Sequence, residues 1–137
     1  MFKSEDIFLG FVAYIDVSKL LDDRIVKPAS PPDRSGPFVC IKILNDESQW
    51  THITTIFREE RLALDQYKLG GSSGSRWVLS PQYLNDGSSV YFGPTDLFVK
   101  AAANSDNYWP HNRPKITPPG VEKILLEVEK RLNGTEH

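Results

Sequence analysis

The stretch Pro37-Phe38-Val39-Cys40-Ile41-Lys42-Ile43-Leu44 decides the fold. It is almost continuously apolar and rich in branched side chains, with one charge at Lys42. Such a run reads as a strand buried on both faces. Asn45-Asp46-Glu47-Ser48 follows with the chemistry of a turn, and Gln49 to Phe57 then reads as a second strand. The two together predict an antiparallel hairpin at the centre of a sheet.

Working outward, Ile7–Ile15 is a further strand, in which Gly10 marks a bulge or a tight bend. The polar connection 16–36 carries Pro28, Pro31 and Pro32, so its second half is no helix interior, while Val17, Leu20 and Leu21 suit one helical turn. Connections of this length are often functional or mobile. Downstream, Arg61–Leu64, Val90–Phe92 and Asp96–Ala101 read as short strands. Gly70–Ser75 is a flexible loop by composition, Arg76–Leu79 is short and apolar, and Ala102–Pro114 is irregular. The end of the chain differs. Thr117 is an N-cap and Pro118 a first helical residue, and Val121, Ile124, Leu125, Val128 and Leu132 form one apolar stripe. Lys130 and Arg131 suit the dipole and Asn133-Gly134 a stop, so a helix is predicted over 118–133. The whole reads as one domain, 1–137, mainly β with a C-terminal helix, in which a small curled antiparallel sheet is covered by that helix.

Composition removes several function classes. The chain has 137 residues, 39% hydrophobic and 25% charged, with a net charge of -2. Neither a disordered tail nor a strongly basic nucleic-acid coat fits, although a local basic groove does. Cys40 is the single cysteine, which rules out an internal disulfide and a cysteine zinc cage, and it reads as a buried small hydrophobe. No apolar run reaches the length of a membrane span, and the polar, acidic start is unlike a secretory signal, so a cytoplasmic location is expected. His52, His111 and His137 show no paired metal spacing, Gly70–Ser75 lacks the lysine of a phosphate loop, and no Gly-x-Ser-x-Gly elbow occurs.

The segment Trp50-Thr51-His52-Ile53-Thr54-Thr55-Ile56 carries the candidate chemistry. Alternation puts His52 and Thr54 on one strand face. Arg34, Arg58 and Arg61 lie close in sequence, and arginine with hydroxyl groups suits a phosphate. An unperturbed histidine titrates near pH ~6.5, in the range of general acid–base work. The plainer reading of the same residues is a half-exposed strand flanked by solvated charges.

Taken in order, these pieces resemble the MazF/PemK family of toxin ribonucleases and the related CcdB-like fold. The corresponding segments are Ile7–Ile15, the 16–36 loop, Gly36-Pro37-Phe38-Val39-Cys40-Ile41, Ile53-Thr54-Thr55-Ile56, Arg61–Leu64, Trp77–Gln82 and the helix after Thr117. The resemblance covers most of the chain and rests on order and pattern. It implies an SH3-like barrel, a symmetric homodimer, and an acidic antitoxin protein as partner. The implied activity is cleavage of single-stranded RNA without metal or other cofactor, with the ribose 2′-hydroxyl as internal nucleophile. Thr54 matches the family threonine. Gly36 stands where the family has an arginine before proline, with Arg34 two residues earlier. The site residues expected on this reading are Thr54, Arg34 and His52 for catalysis, and Arg58, Gln82 and Trp50 for substrate contact. Trp77 and Trp109 are further stacking candidates, although core or interface packing suits most of the tryptophans. Two other readings fit the same pieces: a non-catalytic SH3-like module that binds protein or nucleic acid, and a CcdB-like inhibitor acting by protein binding.

Overall fold

A computed structural model describes residues 2–28, 35–85, 89–103 and 106–134, the last four of these by backbone alone. In chain order the elements are β1 (Val12–Ile15), β2 (Gly36–Leu44), β3 (Glu47–Thr54), β4 (Lys68–Leu69), α1 (Arg76–Leu79), β5 (Tyr83–Leu84), β6 (Val90–Pro94), α2 (Thr95–Ala101), β7 (Lys115–Ile116) and α3 (Pro118–Gly134). Short 3-10 turns lie at Ser4–Asp6, Val17–Lys19, Asp65–Tyr67 and Pro110–Asn112.

The expected hairpin forms. β2 and β3 pair antiparallel from Leu44↔Glu47 to Phe38↔His52, with a bulge between Cys40 and Lys42. Asn45 turns the chain at a positive φ of 56°, a conformation asparagine tolerates. β1 lies on the far side of β2, and the other edge of β3 is shared by β5 and β6. Leu84 pairs with Ile53 and Val90 with Thr51, so the pairing along this edge passes from β5 to β6 at His52. Such interruptions re-aim side chains and often stand beside functional sites. β4 and β7 form a separate two-stranded ladder. The result is a five-stranded antiparallel sheet with helices, and no ladder closes it into a barrel among the described residues.

Alternation along β2 explains why its apolar run is continuous. Phe38 and Cys40 face one core with Trp50, Tyr91 and Phe98, whereas Val39 and Ile41 face another with Ile53, Trp77 and Ile124. The first is covered by α2, where Phe98 stacks on Trp50 at 5.5 Å between centroids. The second is covered by α3 through Val121, Ile124 and Val128. Burial stops at Ile41; Lys42, Ile43 and Leu44 are exposed.

Three expectations are corrected. The first strand begins at Val12, not Ile7, because Gly10 bends the chain at a φ of 95° and a Cβ there would collide with the Ile116 carbonyl. Asp96–Ala101 is the body of α2, not a strand: Phe98 and Ala101, a helical turn apart, are buried in one core. Of Arg61–Leu64 only Ala63 makes a β-bridge, to Tyr83. Leu125 is also half-outside the α3 stripe, at 36% exposure.

Candidate functional site

A cleft of about 510 Å³ opens at the end of the sheet where β1 and β3 finish and β2 begins. Its walls come from Tyr14, Gly36, His52 and Thr54 of the sheet, Arg76 and Trp77 of α1, Gln82, and the segment bearing Asp106 and Tyr108. Three residues expected from the sequence, His52, Thr54 and Gln82, therefore meet in one place.

His52 is 7% exposed and its ring lies against Phe38 at 5.0 Å. The Asn85 amide Nδ2 donates to its Nδ1 at 2.8 Å, and the Asn85 N–H donates to its carbonyl at 3.0 Å. An amide nitrogen only donates, so Nδ1 accepts and the proton of the neutral ring sits on Nε2. Burial, helped by the positive charge of Arg61, pushes the imidazole down to about 4. His52 is thus a neutral hydrogen-bond donor near pH 7. Gly36 makes room for it: a Cβ at that position would stand 2.8 Å from Nε2.

Thr54 closes β3 and is half-buried. Its hydroxyl oxygen accepts from the Ile56 N–H at 3.2 Å, which leaves the hydroxyl proton for another acceptor. Arg76 opens α1 with an exposed side chain that makes no ion pair among the described residues. Its backbone is fixed from below. The Gln82 Nε2 donates to the Arg76 carbonyl at 3.0 Å, and the Gln82 Oε1 accepts from Lys68. Lys68 Nζ also donates to the Trp77 and Ser80 carbonyls, at 2.8 and 2.9 Å. Gln82, 2% exposed, has both ends of its amide engaged, so it positions Arg76 instead of reaching substrate.

The opposite wall is built on a buried ion pair. Asp106 Oδ1 meets Arg113 Nη2 at 2.7 Å, and Asp106 Oδ2 accepts the Tyr14 N–H at 2.7 Å. Arg113 donates to the Val12 carbonyl at 3.1 Å, and its guanidinium lies 4.6 Å from the Phe11 ring centre and 4.8 Å from that of Phe2. The pair ties the 106–113 segment to β1, with Oδ2 of the carboxylate hydrogen-bonded and Oδ1 met by the Arg113 charge.

The remaining expected residues fall elsewhere. Trp50 is fully buried, with its indole N–H donating to Ser48 Oγ at 2.8 Å, so it is core and no platform for a base. Arg58 is exposed but does not line the cleft. Arg34 lies outside the described residues. Trp77 is buried with its N–H donating to the Leu69 carbonyl, whereas Trp109 is 71% exposed. Cys40 is buried as expected, and burial pushes its thiol up to about 12.

Sequence reasoning missed Arg76, Tyr14, Asp106 and Tyr108. Arg76 follows Gly70-Gly71-Ser72-Ser73-Gly74-Ser75, and a Cβ at Gly71 would meet the Trp77 ring at 2.7 Å, so the glycines let α1 dock. Among the described residues no three His, Cys, Asp or Glu side chains form a metal-holding group, and no helix is long and apolar enough to cross a membrane. No protein-family model, curated protein or solved structure matches this chain.

Proposed function

We propose that the protein is a toxin-type endoribonuclease that cleaves single-stranded RNA through the ribose 2′-hydroxyl, at the cleft formed by His52, Thr54 and Arg76. The observation that carries this reading is the convergence there of Arg76, which makes no ion pair among the described residues, with two neutral donors. In the reaction the 2′-oxygen attacks the adjacent phosphorus as its proton passes to water, the bond from phosphorus to the 5′-oxygen breaks, that oxygen takes a proton from water, and a 2′,3′-cyclic phosphate remains. Charge builds on the non-bridging oxygens as the phosphorane forms. Arg76 is suited to pair with those oxygens, and the Thr54 hydroxyl and His52 Nε2–H to donate to them. Arg76 takes the part that the resemblance gives to the arginine before proline, a position held here by Gly36. With its imidazole held at about 4, His52 contributes as a donor and not as a proton carrier near neutral pH. On this reading the open sheet is an SH3-like sheet of the MazF/PemK type. A homodimer, an acidic antitoxin partner and a cytoplasmic location belong to the same proposal.

One observation favours a second reading. Among the described residues His52 is the histidine that lines the cleft, with its imidazole held at about 4, and a site that binds an RNA strand without cutting it needs no histidine that titrates near neutrality. Incubation with a long unstructured RNA in the presence of chelator separates the two. Discrete cuts ending in cyclic phosphate, with an all-deoxy strand of the same sequence left intact, are expected. RNA that is bound but never cut assigns the cleft to binding alone, and RNA that is neither bound nor cut overturns both readings.

A further inference from the structure

The wall of the cleft facing away from α1 presents two tyrosines with no assigned task. Tyr14 is 41% exposed on a strand whose other three residues are buried. Tyr108 is half-buried and also lines the cleft. One carboxylate links them: Asp106 accepts the Tyr14 backbone N–H, and it pairs with Arg113, whose guanidinium lies 5.9 Å from the Tyr108 ring centre. The Tyr14 carbonyl also accepts from the Ala103 N–H at 2.8 Å. An exposed aromatic side chain on a doubly fastened backbone pays little conformational entropy when a flat ligand lies on it. The phosphate-binding groups Thr54 and Arg76 occupy the same cleft.

We infer that Tyr14 and Tyr108 form a stacking subsite for an unpaired nucleobase of the strand whose phosphate meets Arg76 and Thr54. The inference rests on the RNA reading of the cleft and names the part of the strand the second wall receives. Double-stranded RNA keeps its bases stacked on each other, so this wall selects single strands. Stacking is tolerant of base identity, because every base has a π-face. The Asp106–Arg113 pair acts through the tyrosines as a positioning device and does not touch the strand.

The test uses the full chain and a fluorescent single-stranded RNA carrying 2′-O-methyl groups, which block cleavage and leave binding measurable. Tyr14→Ala and Tyr108→Ala are each expected to weaken binding by about ten-fold, as loss of one base–aromatic stack does. Tyr14→Phe and Tyr108→Phe keep the ring and are expected to stay within about two-fold of wild type. A duplex of the same sequence is expected to bind the wild type more weakly than the single strand, with the difference reduced in the alanine variants. Unchanged binding in folded alanine variants, or an equal loss in the phenylalanine variants, overturns the stacking subsite while leaving the RNA reading intact. No binding of the RNA by the wild type overturns the RNA reading and the subsite with it.

Discussion

Replacing Gly36 by alanine tests the link between the backbone of β2 and the His52 ring. The added Cβ would stand 2.8 Å from Nε2, 3.6 Å from Cδ2 and 3.8 Å from Cε1. Ordinary contact begins at 3.4 Å, so the ring must retreat by the difference between 3.4 and 2.8 Å, 0.6 Å. It has little room, being 7% exposed, fixed by Asn85 at Nδ1 and backed by Phe38. Overpacking of this kind costs about 1–3 kcal/mol. The lower entropy of the unfolded alanine chain offsets about 0.4–1 kcal/mol of that. A net loss of about 0–2.6 kcal/mol remains, centred near about 1.3 kcal/mol, a fall in Tm of roughly 4–5 °C at that centre for a domain of this size. The assay is thermal unfolding of wild type, Gly36→Ala, His52→Ala and the double variant. Removing the ring removes the clash, so the double variant is expected to lose about 1 kcal/mol less than the sum of the singles. A strictly additive cycle refutes the proposed contact.

Further outcomes follow from the same geometry. His52 has a folded value near 4 against an unperturbed 6.5, so between these the unfolded chain binds the extra proton. Its contribution to stability is complete above about pH 6.5 and is lost as pH falls toward 4, by about 2–4 kcal/mol in all. Urea unfolding from pH 7.5 to 4.5 should be flatter in His52→Gln by that amount. Asp22, lowered to about 2 chiefly by its hydrogen bond from Arg24, acts below that window. Arg113→Ala leaves the Asp106 carboxylate buried without its cation and is expected to cost about 3–5 kcal/mol, read as a lower urea midpoint. Cys40 is buried with its thiol pushed up to about 12, so iodoacetamide at pH 8 should label it only in denaturant.

The parts of the fold that were legible rest on local chemistry. The β2–β3 hairpin is written in a continuous apolar run and an Asn-Asp turn, and α3 in its spacing and its Thr117-Pro118 start. The Gly10 bend was legible because glycine alone fits there. α2 was not, because Phe98 and Val99 favour strands and tertiary burial of Phe98 and Ala101 makes the segment helical. In the cleft, His52 and Thr54 were visible as neighbours on one strand. Arg76 joins them through the docking of α1 by Lys68 and Gln82, a side-chain contact that no hydrophobic period announces. Trp50 was placed on the wrong side of the balance because a tryptophan's environment is set by tertiary packing. The Asp106–Arg113 pair lies in a stretch with no periodicity to announce it.

The central claim is that RNA is cut where Thr54 and Arg76 meet. Single-turnover cleavage of one RNA by wild type, Thr54→Ala, Arg76→Ala and Arg58→Ala tests it most directly. Loss of a preorganised donor to a developing oxyanion costs about 100-fold or more. The account therefore predicts losses of that order for Thr54→Ala and Arg76→Ala, with Arg58→Ala, outside the cleft, close to wild type. An inert wild type, or a loss that follows Arg58 and spares both cleft residues, contradicts it.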